Sequence, residues 1–245
     1  MSGHSHFKSI KHKKELEDRK KGQMFSKLAR VITIAAQKGG RDPEKNPALR
    51  QALEEAKKIN MPKENIERAI KRGTGELKEE SELFEVSYEI IGPEGEMAIL
   101  EGITDNKNRA LGEIKNILQR YNWKLADQGA VRWLFERKGY ITINLDSESV
   151  KNKDKEELEL FLIELGAQDL IYHDNSLDVI VNPEDLESFK EKLKSQNIEI
   201  AEENIGLYAK NSIEVKEEKK EHYQNLFEEL LDTDTVQNIY SNLNL

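Results

Sequence analysis

The chain contains no cysteine, which excludes disulfides, thiolate metal sites and a cysteine nucleophile. It has no run of about 18 apolar residues, so no membrane span is predicted. Its first residues also lack the apolar stretch of a secretory signal. The expected compartment is the cytosol. Aromatic residues make up only 7% of the chain and apolar residues 37%, enough for several small cores rather than one large one. The sequence patterns of common catalytic sites are missing too: there is no GxxxxGKS/T, no GxGxxG after a strand and no GxSxG. With no obvious nucleophile or general base, the chain reads as non-enzymatic, and no cofactor is expected.

What the chain has is charge, unevenly placed. Its net charge is −9, yet residues 1–75 hold 19 Lys/Arg against 9 Asp/Glu, a net of +10. The rest of the chain holds the other 19 basic residues and 38 acidic ones, a net of −19. Partner choice follows local charge, so the basic part can meet a polyanion while the acidic part repels one. The extreme case is GHSHFKSIKHKK, residues 3–14. Lys8, Lys11, Lys13 and Lys14, with Arg19, Lys20 and Lys21 beyond, can neutralise phosphates and release condensed counterions. His4, His6 and His12 can donate hydrogen bonds to phosphate, and Phe7 offers a face on which an unpaired base can stack. The bland alternative is a solvated terminus. A metal site on the three histidines is disfavoured, because no cysteine or carboxylate lies beside them. His173 and His222 read as surface residues.

Residues 1–20 carry too few apolar groups to pack and read as a flexible basic arm. From Gln23 a helical period sets in, with Phe25, Leu28, Ile32 and Ala35 or Ala36 on one face and Gly39-Gly40 ending the run. A second helix starts at Pro47 with Leu49, Leu53 and Ala56 inside; a third holds Ile66, Ala69 and Ile70, with Gly73 as its C′ residue. These make a helical bundle domain over 21–75, whose exposed faces are expected to include Lys27 and Arg30. Met61-Pro62 reads as an ordinary helix break, so bundle packing is preferred to a DNA-reading helix-turn-helix. Beyond the polar stretch 73–82 the texture changes to α+β. FEVSYEIIG and EMAILEGIT form a hairpin about Gly92–Gly95, a helix follows from Thr104 or Asp105, and AVRWLFE reads as a strand. Residues 138–210 then run β-α-β-β-α-β, the order of a ferredoxin-like domain. A helix over 216–231 and a strand over 234–241 would complete the interrupted unit. The expected layout is a discontinuous middle α+β domain, 83–137 with 211–245, into which the ferredoxin-like α+β domain is inserted.

With these residues in view, GHSHFKSIKHKK and the stretch FSKLARVITIAAQKGGRDPEKNPALRQALEEAKKINMPKENIERAIKRG closely resemble the YebC family. The resemblance continues through ITDNKNRALGEIKNIL and GAVRWLFERKG and, more loosely, to the C-terminus. It implies a multidomain α+β protein: an N-terminal three-helix domain plus two ferredoxin-like α/β domains around a cleft. It also implies a regulator of gene expression, described either as a transcriptional regulator binding DNA or as a ribosome-associated translation factor binding ribosomal RNA. No membrane partner is implied, and a monomer is expected. The family usually has Lys-Trp where this chain has His6-Phe7, and favours glycine and serine at Asn122, Trp123, Ala126 and Ala130.

One polar cluster lies outside the basic third. In ITDNKNRA, Asp105, Asn106, Asn108 and Arg109 sit at a strand-to-helix junction near Glu101. Three readings follow: helix capping by Asp105 with an Asp105–Arg109 pair one turn on, a cleft site for an anionic ligand or a partner, or paired carboxylates for catalysis. The alternative function is therefore a cleft enzyme or binding protein for an anionic small molecule. For the arm, deleting residues 1–14 is expected to abolish nucleic-acid binding while leaving the thermal melt nearly unchanged. Retention of affinity would make the arm a mere tail.

Overall fold

The computed structural model describes residues 14–77, 81–151 and 154–245, with side chains described from residue 21 onward. The expectations for residues 1–13 lie outside the described residues. The first helix, α1 (Lys14–Gly39), begins at Lys14 rather than at Gln23, so residues 14–20 of the expected flexible arm are helical. Two shorter helices follow, α2 (Pro47–Lys58) and α3 (Lys63–Gly73). Leu28, Ile32 and Ala35 of α1 meet Leu49, Ala52 and Ala56 of α2 and Ala69 of α3 in one small core.

The connection from α1 to α2 is built around Asn46. Its Oδ1 accepts from the Leu49 N–H, capping α2, with Pro47 pre-set for the first turn. Its amide group donates to Ala35 O and Gly40 O at 2.8 and 2.9 Å, closing off the end of α1. Gly73 has a different role from the one its position suggests. It is the last residue of α3, and a Cβ there would fall on the Thr33 carbonyl oxygen and 2.8 Å from the Ala36 Cβ. Close approach of α1 and α3 requires it. Gly75 takes the left-handed conformation instead (φ +76), with Gly75 and Glu76 N–H groups bonded to Arg72 O and Lys71 O in a Schellman closure.

The middle sheet has the order β3-β1-β2-β9, from β1 (Phe84–Ile91), β2 (Met97–Thr104), the two-residue β3 (Lys124–Leu125) and β9 (Val236–Ser241). Its strand pairs are all antiparallel, and the C-terminal β9 pairs directly with β2. Helices α4 (Lys107–Arg120) and α7 (Glu217–Asp232) cover one face, packing Ile114, Leu118, Leu226 and Phe227 onto Ile90 and Leu100. A second sheet, β5-β6-β4-β7, is built from β4 (Phe135–Asn144), β5 (Asp169–Tyr172), β6 (Ser176–Val181) and β7 (Glu202–Ala209). Helices α5 (Lys155–Leu165) and α6 (Leu186–Ser195) pack Leu158, Leu162, Phe189 and Leu193 against Ile141, Ile143 and Val179. A short parallel pair, β8 (Ile213–Glu214) with β10 (Leu243–Asn244), ties the return segment to the C-terminus. The chain is thus α+β, with N-terminal helices and two β-sheet units.

AVRWLFE is not a separate strand. Residues Arg132–Leu134 form a 3-10 turn, and the strand begins at Phe135 and runs unbroken to Asn144, absorbing ITINL. The third strand of the middle sheet is Lys124–Leu125 instead. The reason lies on β1: the Glu89 carboxylate accepts the N–H groups of Gly129, Val131 and Arg132 at 2.6, 2.5 and 2.9 Å, bending this segment into a turn. Asn122, at a glycine-favouring position, adopts φ +59 itself, as asparagine can.

Gly73 and Gly22 should respond oppositely to the same substitution. A Cβ at Gly22 meets nothing within 4 Å, so Gly22→Ala is expected to stabilise by about 0.5–1 kcal/mol through helix propensity. Gly73→Ala is expected to destabilise by about 1–3 kcal/mol through overpacking. Thermal or urea melts of the two variants test the pair.

Candidate nucleic-acid interface

The structure separates the basic residues of α1 into two groups. Lys27 and Arg30 do not lie on an exposed face, as their sequence positions suggest. Their partly buried side chains reach across to the middle unit. The Lys27 ammonium donates to Leu231 O and to Val236 O, the latter at 2.7 Å, at the turn from α7 into β9. Arg30 donates to Ile103 O at 3.1 Å and lies 3.5 Å from the Asp234 carboxylate. Burial pulls the Lys27 pKa down to about 8; Asp232 and Asp234 oppose that shift, and Arg30 adds to it. Below these contacts Ile34 packs with Leu83 and Ile103. Further along α1, Lys38 meets Glu85 at 2.5 Å and Gln37 meets Glu82 at 3.2 Å. These two cations are therefore structural, and their partners explain why: carbonyls at the end of a helix and the start of a strand favour a cation.

The other basic residues point outward. Lys21 is exposed, its ammonium 6.0 Å from the Phe25 ring centre. Arg50, Lys57, Lys58 and Lys71 are exposed and make no ion pair among the described residues. Lys63 pairs only within its own helix, with Glu67 at 3.7 Å. For Lys14, Arg19 and Lys20 the structure places the backbone on the first turns of α1 and no more. His4, His6, Phe7, Lys8, Lys11, His12 and Lys13 lie outside the described residues.

The cluster at the end of β2 is a helix start. Asn106, rather than Thr104 or Asp105, caps α4: its Oδ1 accepts from the Asn108 and Arg109 N–H groups at 3.1 and 3.0 Å. Asp105 is held by Arg109 at 2.5 Å, the one-turn pair, with the Ser81 hydroxyl 3.4 Å away. Glu101 is elsewhere. It lies on the sheet face away from α4 and α7 and accepts the Tyr240 hydroxyl. Burial, and then this carboxylate, push the Tyr240 phenol well above its usual pKa. The two carboxylates are thus engaged separately. Among the described residues no group of three His, Cys, Asp or Glu could hold a metal, and no helix is long and apolar enough to cross a membrane.

That same sheet face forms the floor of an open strip. At one end α1 covers Ile103; at the other, Val131, Leu134 and Phe135 pack on Ile99 and Tyr240. Between them Ser87, Glu101 and Asn238 lie side by side across three strands, with Ser87 and Asn238 exposed. Sequence reasoning missed the residue that shapes this region, Glu89. Burial alone would raise its pKa, but three backbone N–H bonds and Arg132 outweigh it and hold the carboxylate below its usual value. An acidic residue in a strand has no sequence signal for such a role; only the loop that it captures reveals it.

Two family models match the chain: the TACO1/YebC protein N-terminal domain over residues 5–76, and the TACO1/YebC second and third domain over residues 83–243. A relative from Natranaerobius thermophilus, described as a "Probable transcriptional regulatory protein", is 44% identical over all of this chain and 97% of its own length. One from Thermotoga maritima with the same description is 43% identical over all of this chain and 94% of its own length. The crystal structure of a conserved hypothetical protein from Aquifex aeolicus superposes with a TM-score of 0.80 at 38% identity, covering 98% of this chain and 97% of that one. The chain belongs to the TACO1/YebC family. The family description is regulatory and not enzymatic, which sets aside the cleft-enzyme reading centred on Asp105.

Glu89→Gln should loosen the 129–134 turn. A carboxylate with a depressed pKa contributes stability that is present above the ordinary Glu range and lost as pH falls through the folded-state value. The variant is therefore expected to lose roughly 1–3 kcal/mol at neutral pH, and the gap to the natural protein should close under acid. Melts across a pH series check both the size and the closure.

Proposed function

We propose that the protein is a nucleic-acid-binding regulator of gene expression that grips phosphates with its basic N-terminal third. The acidic units orient that third or contact a protein partner. The observation that carries the reading is the sorting of α1–α3 cations: Lys27 and Arg30 are committed to the seam, while Arg50, Lys57, Lys58 and Lys71 face solvent without ion partners among the described residues. Uncompensated surface cations release counterions when they meet phosphate, the main source of backbone affinity. The names of the relatives support a regulatory role.

In this reading the chain has a basic arm, a helical bundle over 21–75, a middle domain of 83–137 with 211–245, and an inserted ferredoxin-like domain over 138–210. The β5-β6-β4-β7 order with antiparallel neighbours supports the last assignment. Transcriptional control through DNA is the reading that the relatives' names favour. Action on the ribosome through ribosomal RNA is the second reading, favoured by a cationic, histidine-bearing N-terminal sequence with a single stacking ring, which suits an RNA crevice as well as a groove. Crosslinking in cells followed by sequencing of the bound nucleic acid separates them. Discrete promoters are the outcome expected for DNA control, and ribosomal RNA the outcome for ribosome action. Recovery of neither would contradict the proposal.

A further inference from the structure

Two tryptophans occur in the chain, and the fold treats them oppositely. Trp123 is 3% exposed and packs edge-on against Tyr223 and Phe227. Trp133 is 60% exposed, although it stands in a turn whose neighbours Val131, Leu134 and Phe135 are all buried. Its exposure is not that of a loose loop. Glu89 fixes the backbone of the turn through three N–H bonds, and the indole N–H donates to Ala130 O at 2.8 Å. On the other side, Lys210 donates to Trp133 O at 3.2 Å. A ring held in one pose while presented to water is pre-organised for contact, since little rotamer freedom remains to be lost on binding.

The charges around it select the ligand. Gly129–Lys138 carries Arg132, Arg137 and Lys138 against one acid, Glu136, within a part of the chain whose net charge is −19. Lys138 already neutralises Glu136 at 3.2 Å, and Glu89 is occupied by backbone N–H groups. Arg132 and Arg137 are exposed and make no salt bridge among the described residues, and Lys210, also exposed, stands at the Trp133 carbonyl. An exposed aromatic face in a stretch rich in exposed cations that form no salt bridge fits a stacked base with its adjoining phosphates.

We infer that Trp133 is a stacking platform for an unpaired base of single-stranded nucleic acid, with Arg132, Arg137 and Lys210 contacting the adjoining phosphates. This inference rests on the nucleic-acid reading and adds a contact remote from the helical bundle, on the turn between the two sheets.

The test uses the full chain and a short single-stranded oligoadenylate RNA. Binding is read by anisotropy of the labelled RNA, and stacking by quenching of tryptophan emission with the unlabelled RNA. The natural protein should show both signals. Trp133→Ala should weaken binding by about five- to a hundredfold, the range expected for losing one stacked base, and should remove the quench, since Trp123 is shielded. Trp133→Phe should recover part of the affinity. An unchanged melt for the two variants is expected, because the ring is exposed. Anisotropy without quenching, or equal affinity for Trp133→Ala, overturns the stacking platform while leaving the nucleic-acid reading intact and would assign the ring to a protein contact. Absence of any anisotropy change in the natural protein also overturns the stacking platform, and the nucleic-acid reading itself falls only if crosslinking recovers neither promoters nor ribosomal RNA.

Discussion

The arrangement of the molecule depends on one seam, the Lys27 ammonium seated against the carbonyls of Leu231 and Val236, with Arg30 beside it between Ile103 O and Asp234. Removing a lysine from water is costly, and the same burial lowers its pKa. The cost is offset by the carbonyls of Leu231, in the last turn of α7, and Val236, at the start of β9. The consequence is orientation. With α1 fixed by two committed cations and by Ile34 against Leu83 and Ile103, the faces of α2 and α3 carrying Arg50, Lys57 and Lys71 are turned to solvent.

The seam works because the chain's end comes back to meet its beginning. β9 pairs with β2 more than 130 residues later in sequence, and α7 and β9 deliver one carbonyl each to Lys27. The second sheet is attached by packing rather than by charge. Gly206 lets Tyr240 and Tyr140 approach the β7 backbone, where a Cβ would lie 2.9 and 3.2 Å from their rings. Tyr140 also donates to Leu207 O at 2.8 Å. Glu89 completes the junction by holding the turn through which the chain passes from one sheet to the next.

Much of this was legible in the sequence. Apolar residues at three- and four-residue steps located α1 to α3, and alternating runs located the hairpin, β6 and β9. What escaped was set by contacts distant in sequence. Lys27 and Arg30 look like surface cations on a helical wheel until the α7–β9 turn is placed against them. Val131–Leu134 has strand composition, yet Glu89 captures the Val131 and Arg132 N–H groups from 42 and 43 residues away. The choice of Asn106 over Asp105 as cap follows from side-chain geometry, since Asp105 is drawn off by Arg109. Of the interface, the charge division was readable, whereas the split between structural and available cations was not.

The central claim is that committed cations set orientation and solvent-facing ones meet phosphate. The most direct measurement is the slope of log binding constant against log salt for three proteins: natural, Lys27→Met, and the double variant Lys57→Glu with Lys58→Glu. The account predicts a slope unchanged in Lys27→Met and shallower by about two in the double variant, one phosphate contact for each lysine. A slope that falls in Lys27→Met and holds in the double variant would contradict it, as would binding indifferent to salt in the natural protein.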